Sequence, residues 1–484
     1  MFRARRAAET TPGTPTRPHR PGVAITVLAA SGLLVSLVQT MVVPLLPRFP
    51  ELLSVSPSTA SWLVTANLVA GAVSAPVLGR LGDMYGKRRM LLVALGLVGV
   101  GSLLGAVAPG IGLLLVARVL QGAAFGVIAL GMSLMRDVLP PERIGSGVGL
   151  MSSSLGFGGA IGLPITGVVA QLGSWRWLFA GAAVIAVVQI LLVRRLVPES
   201  RLRSGGRFDA VGAVGVGLAL VCLLLAISKG DAWGWASPTV LGLLGATVVL
   251  TLVTGRYELR VRRPLIDLRV SARPAVLLTN LASVLTGFAM FAGFILTIQI
   301  LQAPVGTGYG FGLPLVIAGL VLLPMGGAMV ALSSVSARLS RLRGPRTTLV
   351  AGTVVLAVGN VGLALLPGSV WLLMLASTVA AIGAALAYSA IPLAIMRAVP
   401  ESETAAANSL NTLARQLGTS SCAAVVAAVT SAFVLDGGAF PQGAAYTIAF
   451  AAAGAAALVA TVLVALTPEP LTVGPTAEPV AGRV

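Results

Sequence analysis

GRLGDMYGKRR, residues 79–89, places four basic side chains and one carboxylate, Asp83, in eleven residues of a chain whose charged residues make up only 10%. Apolar runs flank it on both sides, at about 58–78 and 90–108. Each is close to the roughly 20 residues that a helix needs to cross a hydrocarbon core. The charged knot therefore reads as a tight surface loop between two crossings. Working outward, we read fourteen such runs, at about 22–44, 58–78, 90–108, 111–133, 145–169, 177–196, 209–228, 237–255, 275–301, 314–336, 347–366, 371–393, 405–434 and 444–466. A helix satisfies its own backbone hydrogen bonds in lipid, whereas barrel strands would show short alternating segments. The chain is thus expected to be an all-α integral membrane protein with fourteen transmembrane helices. A hydrophobic content of 56%, against roughly 45–50% in soluble domains, agrees.

Composition removes several function classes. The two cysteines, Cys222 and Cys422, lie inside apolar runs, and the single histidine, His19, lies in a polar tail. Disulfide frameworks and Cys/His metal sites are excluded, and no Ser/His/Asp or Cys/His constellation can be assembled. The chain reads as no enzyme, with no metal and no cofactor. A net charge of +18 invites a nucleic-acid partner, but the distribution of the charge argues otherwise. With fourteen crossings, 28 of the 33 Lys and Arg fall in the tails and on the side that holds residues 79–89, and three fall opposite (Arg48, Arg176, Lys229). That is the positive-inside pattern, so both termini are expected to be cytoplasmic and no nucleic acid is expected. The six tryptophans then lie at the outer interface. The basic arm Arg3–Arg20 resembles a signal-peptide start, but the run after it is too long for one and is read as a retained helix.

The chain repeats itself. LMRDVLPPERIGSGVGLMSSSLG from Leu134 resembles IMRAVPESETAAANSLNTLARQLG from Ile395, with Met135-Arg136 matching Met396-Arg397 at an offset of 261. ARLSRLRGPRT from Ala337 echoes the opening stretch at an offset of 258 and carries Arg341 where the first copy has Asp83. Two six-helix bundles, 22–196 and 275–466, with an inserted helix pair at 209–255, account for both offsets. Halves related in this way build transporters whose substrate site lies between them near the midplane. The Pro/Thr-rich tails, 1–21 and 467–484, are expected to be disordered cytoplasmic segments.

Over about 22–466 the chain resembles the major facilitator superfamily, in its fourteen-span drug:proton antiporter branch. Gly79, Leu81, Asp83, Gly86, Lys87, Arg88 and Arg89 match that superfamily's signature between helices two and three. The resemblance implies that Asp83 caps or pairs across the interface between halves and that the basic residues engage an acid ending helix four, for which Asp137 is available. RVLQG, residues 118–122, resembles the family's fourth-helix motif, whose arginine is tied to proton coupling; Arg118 and Gln121 stand there. An arginine inside a span is costly and normally faces a cavity and a partner. GGAIGLPITG, residues 158–167, resembles the antiporter motif of helix five, keeping Gly159, Pro164 and Gly167 while Leu163 and Val168 replace glycines. Gly158 and Gly162 form a small-xxx-small face that lets helices approach closely, and Pro164 in mid-span removes a backbone bond and kinks the helix. SWRWLF at 174–179 and RQLG at 415–418 look like further features of the branch, the latter supplying Arg415.

The pattern also departs from the branch. Where these antiporters commonly carry an aspartate in helix one, LVQTMVVPLLP (37–47) has Val38, followed by Gln39 and Thr40. No span interior supplies another Asp or Glu: Asp209 lies at a span's edge and Glu51 in the first outer loop. A membrane carboxylate is the usual carrier of a coupled proton and counter-charge of a cationic drug. Asn67 and Gln39 join Arg118 and Arg415 as polar groups of the expected central cavity, among Met, Phe and Leu that suit amphiphilic compounds. The expected function is efflux of amphiphilic small molecules, antibiotics included, from a bacterial cytoplasmic membrane by a monomer that draws on the proton gradient. A uniporter or importer of a metabolite or organic anion remains open, as does a non-transporting sensor or assembly subunit.

Overall fold

A computed structural model describes residues 21–467 apart from 47, 201, 204–207, 262–263, 366–367, 401–402 and 435–439. The two tails lie outside the described residues, except that Pro21 already opens the first helix. All regular structure among the described residues is helical. The long helices are α1 (Pro21–Thr40), α2 (Pro57–Tyr85), α3 (Lys87–Ala106), α4 (Ile111–Val138), α5 (Pro141–Leu172), α6 (Arg176–Leu196), α7 (Ala210–Trp233), α8 (Pro238–Glu258), α9 (Pro274–Gln302), α10 (Leu315–Ala364), α11 (Val370–Ala398), α12 (Thr404–Ala432) and α13 (Gly443–Ala465).

Local chemistry sets many of the boundaries. Ser56 accepts from the Thr59 amide and Ser237 from the Val240 amide, each followed by a proline whose missing N–H costs nothing at a helix start. Asp209 caps α7 through the Gly212 amide at 2.8 Å. Prolines inside α2, α5 and α11 (Pro76, Pro164, Pro392) each remove one ladder bond.

Twelve helical stretches among the described residues are long and apolar enough to cross a membrane, two fewer than the fourteen expected from the sequence. Two physical features account for the difference. Leu315–Ala364 is one continuous stretch of 50 residues, interrupted by Gly344, whose φ of +84° is not helical. The helix α12 is 29 residues long but too polar to be among the twelve, with Asn408, Asn411, Thr412, Arg415 and Gln416 buried along it. Gly344 lies 258 residues beyond Gly86, the glycine of positive φ between α2 and α3, so the offset seen in the sequence recurs as the same backbone break.

Buried apolar side chains form two large clusters. One is drawn from residues 24–197 together with Met396 and Ala405, the other from 276–464 together with Leu163. A third, small cluster of Ala72, Leu220, Leu224 and Leu413 lies where α7 meets α2 and α12. At its far end Lys229 of α7 reaches the Ser61 hydroxyl at 2.5 Å and stacks over Trp62 with its Nζ 4.5 Å from the ring centre. The helix α7 therefore runs antiparallel beside α2 and brings Asp209 to the end of α2 that holds Arg80.

Small residues let α5 touch both clusters. Side chains at Gly158 and Gly162 would overlap Ser36 and Thr40 of α1, and Ser36 donates to the Leu155 carbonyl at 2.5 Å. On another face a Cβ at Gly167 would lie 2.8 Å from Val316 of α10, and one at Gly319 would lie 2.8 Å from Pro164. Gly158→Leu or Gly162→Leu should destabilise the purified protein by roughly 1–3 kcal/mol through overpacking. The check is a lower unfolding midpoint in detergent for both variants, with Gly181→Leu, where nothing lies within 4 Å, as the tolerated control.

Candidate functional site

At Gly86, where φ is +114°, α2 stops and α3 starts. The first amides of a helix have no acceptor of their own. Glu199, just beyond α6, takes two of them: Arg88 N donates to Oε1 at 2.9 Å and Arg89 N to Oε2 at 3.1 Å. The Arg88 guanidinium adds a bond to the Arg194 carbonyl at 2.7 Å, so the loop is clamped to the end of α6. The Arg89 side chain itself is exposed.

Asp83, one turn earlier, is fully buried. Its two oxygens accept from the Ala405 amide at 3.2 Å and the Ala406 amide at 2.8 Å, at the N-terminus of α12. A side chain on α2 thus caps α12, whose Ala405 packs in the first core cluster and whose Cys422 and Val426 pack in the second. The negative charge meets the positive end of the helix dipole, a contact worth about 0.3–1 kcal/mol when exposed and up to ~2 kcal/mol in partly buried geometry. Gly79 allows the approach, because a Cβ there would overlap Ser409 and come within 2.9 Å of the Ala405 carbonyl. Lys87, also fully buried, donates to Asp137 Oδ2 at 2.7 Å and to Thr404 Oγ1 at 2.9 Å, and lies 3.6 Å from Asp83 Oδ1. Ser200 donates to the same Asp137 oxygen, and the Ser133 and Thr404 hydroxyls meet at 2.5 Å. Two carboxylates and one ammonium, all desolvated, are each held by further hydrogen bonds, while Asp137 Oδ1 has no partner among the described residues. Arg341, the second copy's counterpart of Asp83, is exposed.

Arg118 lies deeper and is fully buried in α4. Its Nε donates to the Leu63 carbonyl at 2.9 Å, and one terminal nitrogen donates to the Val38 carbonyl at 2.9 Å and to Gln121 Oε1 at 2.8 Å. Gln121 passes the chain on to Ser102 at 2.9 Å, and Asn67 donates to the Arg118 carbonyl at 3.1 Å. The cation therefore ties α1, α2, α3 and α4 together. No carboxylate pairs with it among the described residues, and the main-chain carbonyl of Val38 takes the place where an acid would answer it. Gln39 is half-buried and shares no hydrogen bond with this network among the described residues. Arg415 of α12, nearly buried, lies over the Tyr388 ring at 4.9 Å from its centre and likewise pairs with no carboxylate among the described residues.

The sequence-expected residues thus fall into three places. Gly79, Asp83, Gly86, Lys87, Arg88 and Asp137 share one charged cluster; Arg118, Gln121 and Asn67 share a second, without Gln39; Arg415 stands apart. Gly158, Gly162, Pro164 and Gly167 serve helix contacts, and a Cβ on Gly159 would reach Thr40 at 3.8 Å. Glu199, Ser200 and Thr404 were not expected. Their signal is faint: an acid and a hydroxyl following Arg194-Arg195, and a hydroxyl opening the polar run TAAANSLNTLARQ. No group of three or more His, Cys, Asp or Glu able to hold a metal occurs among the described residues.

The sequence model of the Major Facilitator Superfamily matches residues 28–423 and 344–483. The chain belongs to the Major Facilitator Superfamily. It is similar to the puromycin resistance protein of Streptomyces alboniger, 30% identical over 464 residues covering 91% of this chain and 90% of that one. It is also similar to the tetracenomycin C resistance and export protein of Streptomyces glaucescens, 28% identical over 352 residues covering 72% and 64%. Among solved structures, the human organic anion transporter MFSD10 superposes with a TM-score of 0.64 at 17% identity, over 92% of this chain and all of that one. The proton:xylose symporter XylE gives 0.64 at 16% over 93% and 96%. These likenesses are of fold. Family and architecture make the chain a multi-pass membrane transporter, a class that carries out no enzymatic conversion.

Lys87→Met strands two buried carboxylates. Removal of one partner of such a pair costs roughly 3–5 kcal/mol, so this superfamily member should unfold at a clearly lower temperature than the wild type. Asp83→Asn keeps an acceptor but loses the charge. In a background lacking Cys222 and Cys422, spin labels at the exposed positions 85 and 397 should report a longer mean distance in Asp83→Asn than in the parent.

Proposed function

We propose that this transporter exports amphiphilic small molecules, antibiotics among them, from the cytoplasm of a bacterium by alternating access, in exchange for protons. The observation that carries the reading is the Asp83 cap on α12. It ties α2 to the start of α12 by two charge-assisted hydrogen bonds at one end, a contact able to form in one access state and break in the other. The puromycin and tetracenomycin relatives support a resistance role. The break at Gly344 and the buried length of α12 support fourteen crossings, with two six-helix bundles and an inserted pair. The distribution of Lys and Arg supports cytoplasmic termini. The protein acts as a monomer in the bilayer, with no cofactor and no nucleic-acid partner, and the proton gradient supplies the energy.

A second reading has a specific observation behind it. Arg118 and Arg415 are buried cations that no carboxylate answers among the described residues, and an organic anion carried without proton exchange would supply the missing charge.

Purified protein in liposomes separates the two. Under antiport, an imposed pH gradient accelerates movement of a lipophilic fluorescent substrate. Movement indifferent to the gradient and fastest for anionic dyes selects the anion carrier, and no movement at all removes transport. Arg118→Ala removes the cation and its bonds to two main-chain carbonyls and Gln121 Oε1, and should slow transport by roughly tenfold or more, about 1.4 kcal/mol in the barrier. Topology is checked separately: in intact cells an impermeant maleimide should label a cysteine at 371 and spare one at 341.

A further inference from the structure

The inserted pair α7 and α8 brings together two acids that their sequence positions keep 49 residues apart, Asp209 at the start of α7 and Glu258 at the end of α8. The sequence reading ends the eighth span at 255 and leaves Glu258 outside it; the helix runs on and carries Glu258 inward to 3% exposure, with Asp209 at 8%. A Cβ built on Gly212 would overlap Asp209 Oδ2 and Glu258 Oε1 at once, so both oxygens converge on one point. Asp209 Oδ1 is satisfied by the Gly212 amide at 2.8 Å and the Tyr257 hydroxyl at 3.1 Å. Among the described residues, Asp209 Oδ2 and both oxygens of Glu258 have no hydrogen-bond partner. The Leu265 and Ile266 amides direct their field at Glu258 without reaching hydrogen-bond geometry.

Two ionised carboxylates that face one buried point, with three of their four oxygens lacking a donor among the described residues, repel each other and are costly to hold. One proton removes the conflict: the O–H of one acid donates to the carboxylate of the other, the pair's charge falls from −2 to −1, and an orphaned oxygen gains a partner. A metal ion fits poorly, since Ca²⁺ wants six to eight oxygens and Mg²⁺ an octahedron, and among the described residues no third His, Cys, Asp or Glu joins the two. The geometry points to Asp209 and Glu258 as a buried proton-sharing pair, the inner proton-binding site of this transporter. Its service in antiport rests on the reading above; its existence does not.

The surroundings link the pair to the Asp83 cap. Leu265 and Ile266, whose amides point at Glu258, line a cleft with Arg80, Asp267 and Glu403, and neither acid of the pair lines it. Arg80, nearly buried, is the cation on α2 whose field reaches both Glu258 and Asp83. Tyr257 faces the pair from α8, Asp267 and Glu403 face the cleft, and Arg256 and Arg260 are exposed. Loading one proton removes one of the negative charges that Arg80 answers, and with it that charge's repulsion of Asp83.

The test is infrared spectroscopy of the purified full-length protein across neutral pH, with no substrate and no gradient. Wild type should show a carboxylic-acid carbonyl band at neutral pH that shifts in D₂O and that Glu258→Gln and Asp209→Asn each remove. A band that survives in both variants overturns the assignment. So does a band that appears in wild type only after sodium and divalent ions are stripped, which would mark a cation site. Circular dichroism guards against misfolding, and if one variant fails to fold the other and the double amide variant carry the comparison. If the band behaves as expected while liposomes show no substrate movement, the transport reading fails and the proton site stands.

Discussion

Two backbone amides at the start of α12 have no acceptor within their own helix, and one carboxylate from α2 supplies both. The arrangement around residues 79–89 follows from that contact. Asp83 can sit there unexposed because Lys87 lies beside it, and Lys87 can be buried because Asp137 and Thr404 complete its coordination. Gly79 and Gly86 earn no contacts of their own; they remove atoms from where α12 and Glu199 must pass. Remove the carboxylate and the two amides lose their acceptor, while Lys87 keeps Asp137 as its counter-charge.

The two arginine sites use a different solution. Arg118 disperses its charge over two main-chain carbonyls and a glutamine amide, while Arg415 lies over an aromatic face. Carbonyl dipoles and ring quadrupoles hold a cation in place without neutralising it. Four helices of the first core cluster are thereby tied through Arg118 and Gln121, yet the site keeps its net charge.

Legibility in the sequence followed the range of the interaction. Hydropathy marks segments one at a time, so the apolar spans could be read from composition; Leu315–Ala364 and α12 escaped that rule because a backbone break and a polar, buried face are not hydropathy signals. The charged cluster was legible because its residues lie within eleven positions. Its outside partners were less so: Asp137 was inferred by resemblance, and Glu199 and Thr404 are brought in only by folding. Val38 shows the limit most clearly, since a side-chain vacancy on paper is filled in space by the same residue's carbonyl. Glu258 escaped because the apolar run ends before the helix does.

Gly86 also bears on how this sequence can drift. A side chain there would need a backbone angle that non-glycine residues rarely adopt, and its Cβ would stand 2.9 Å from Glu199. The two obstacles are independent. Trimming Glu199 would relieve the collision but leave the strain, and would free the amides of Arg88 and Arg89 as well. No single compensating change elsewhere can therefore rescue a replacement, which makes residue 86 a position with no neutral neighbours in sequence space. Gly344, with open space around its missing Cβ, faces the backbone obstacle alone. Of two glycines that share one turn geometry, the first is held by its surroundings and the second only by its own torsion, so lineages descending from this chain can lose the second far more readily than the first.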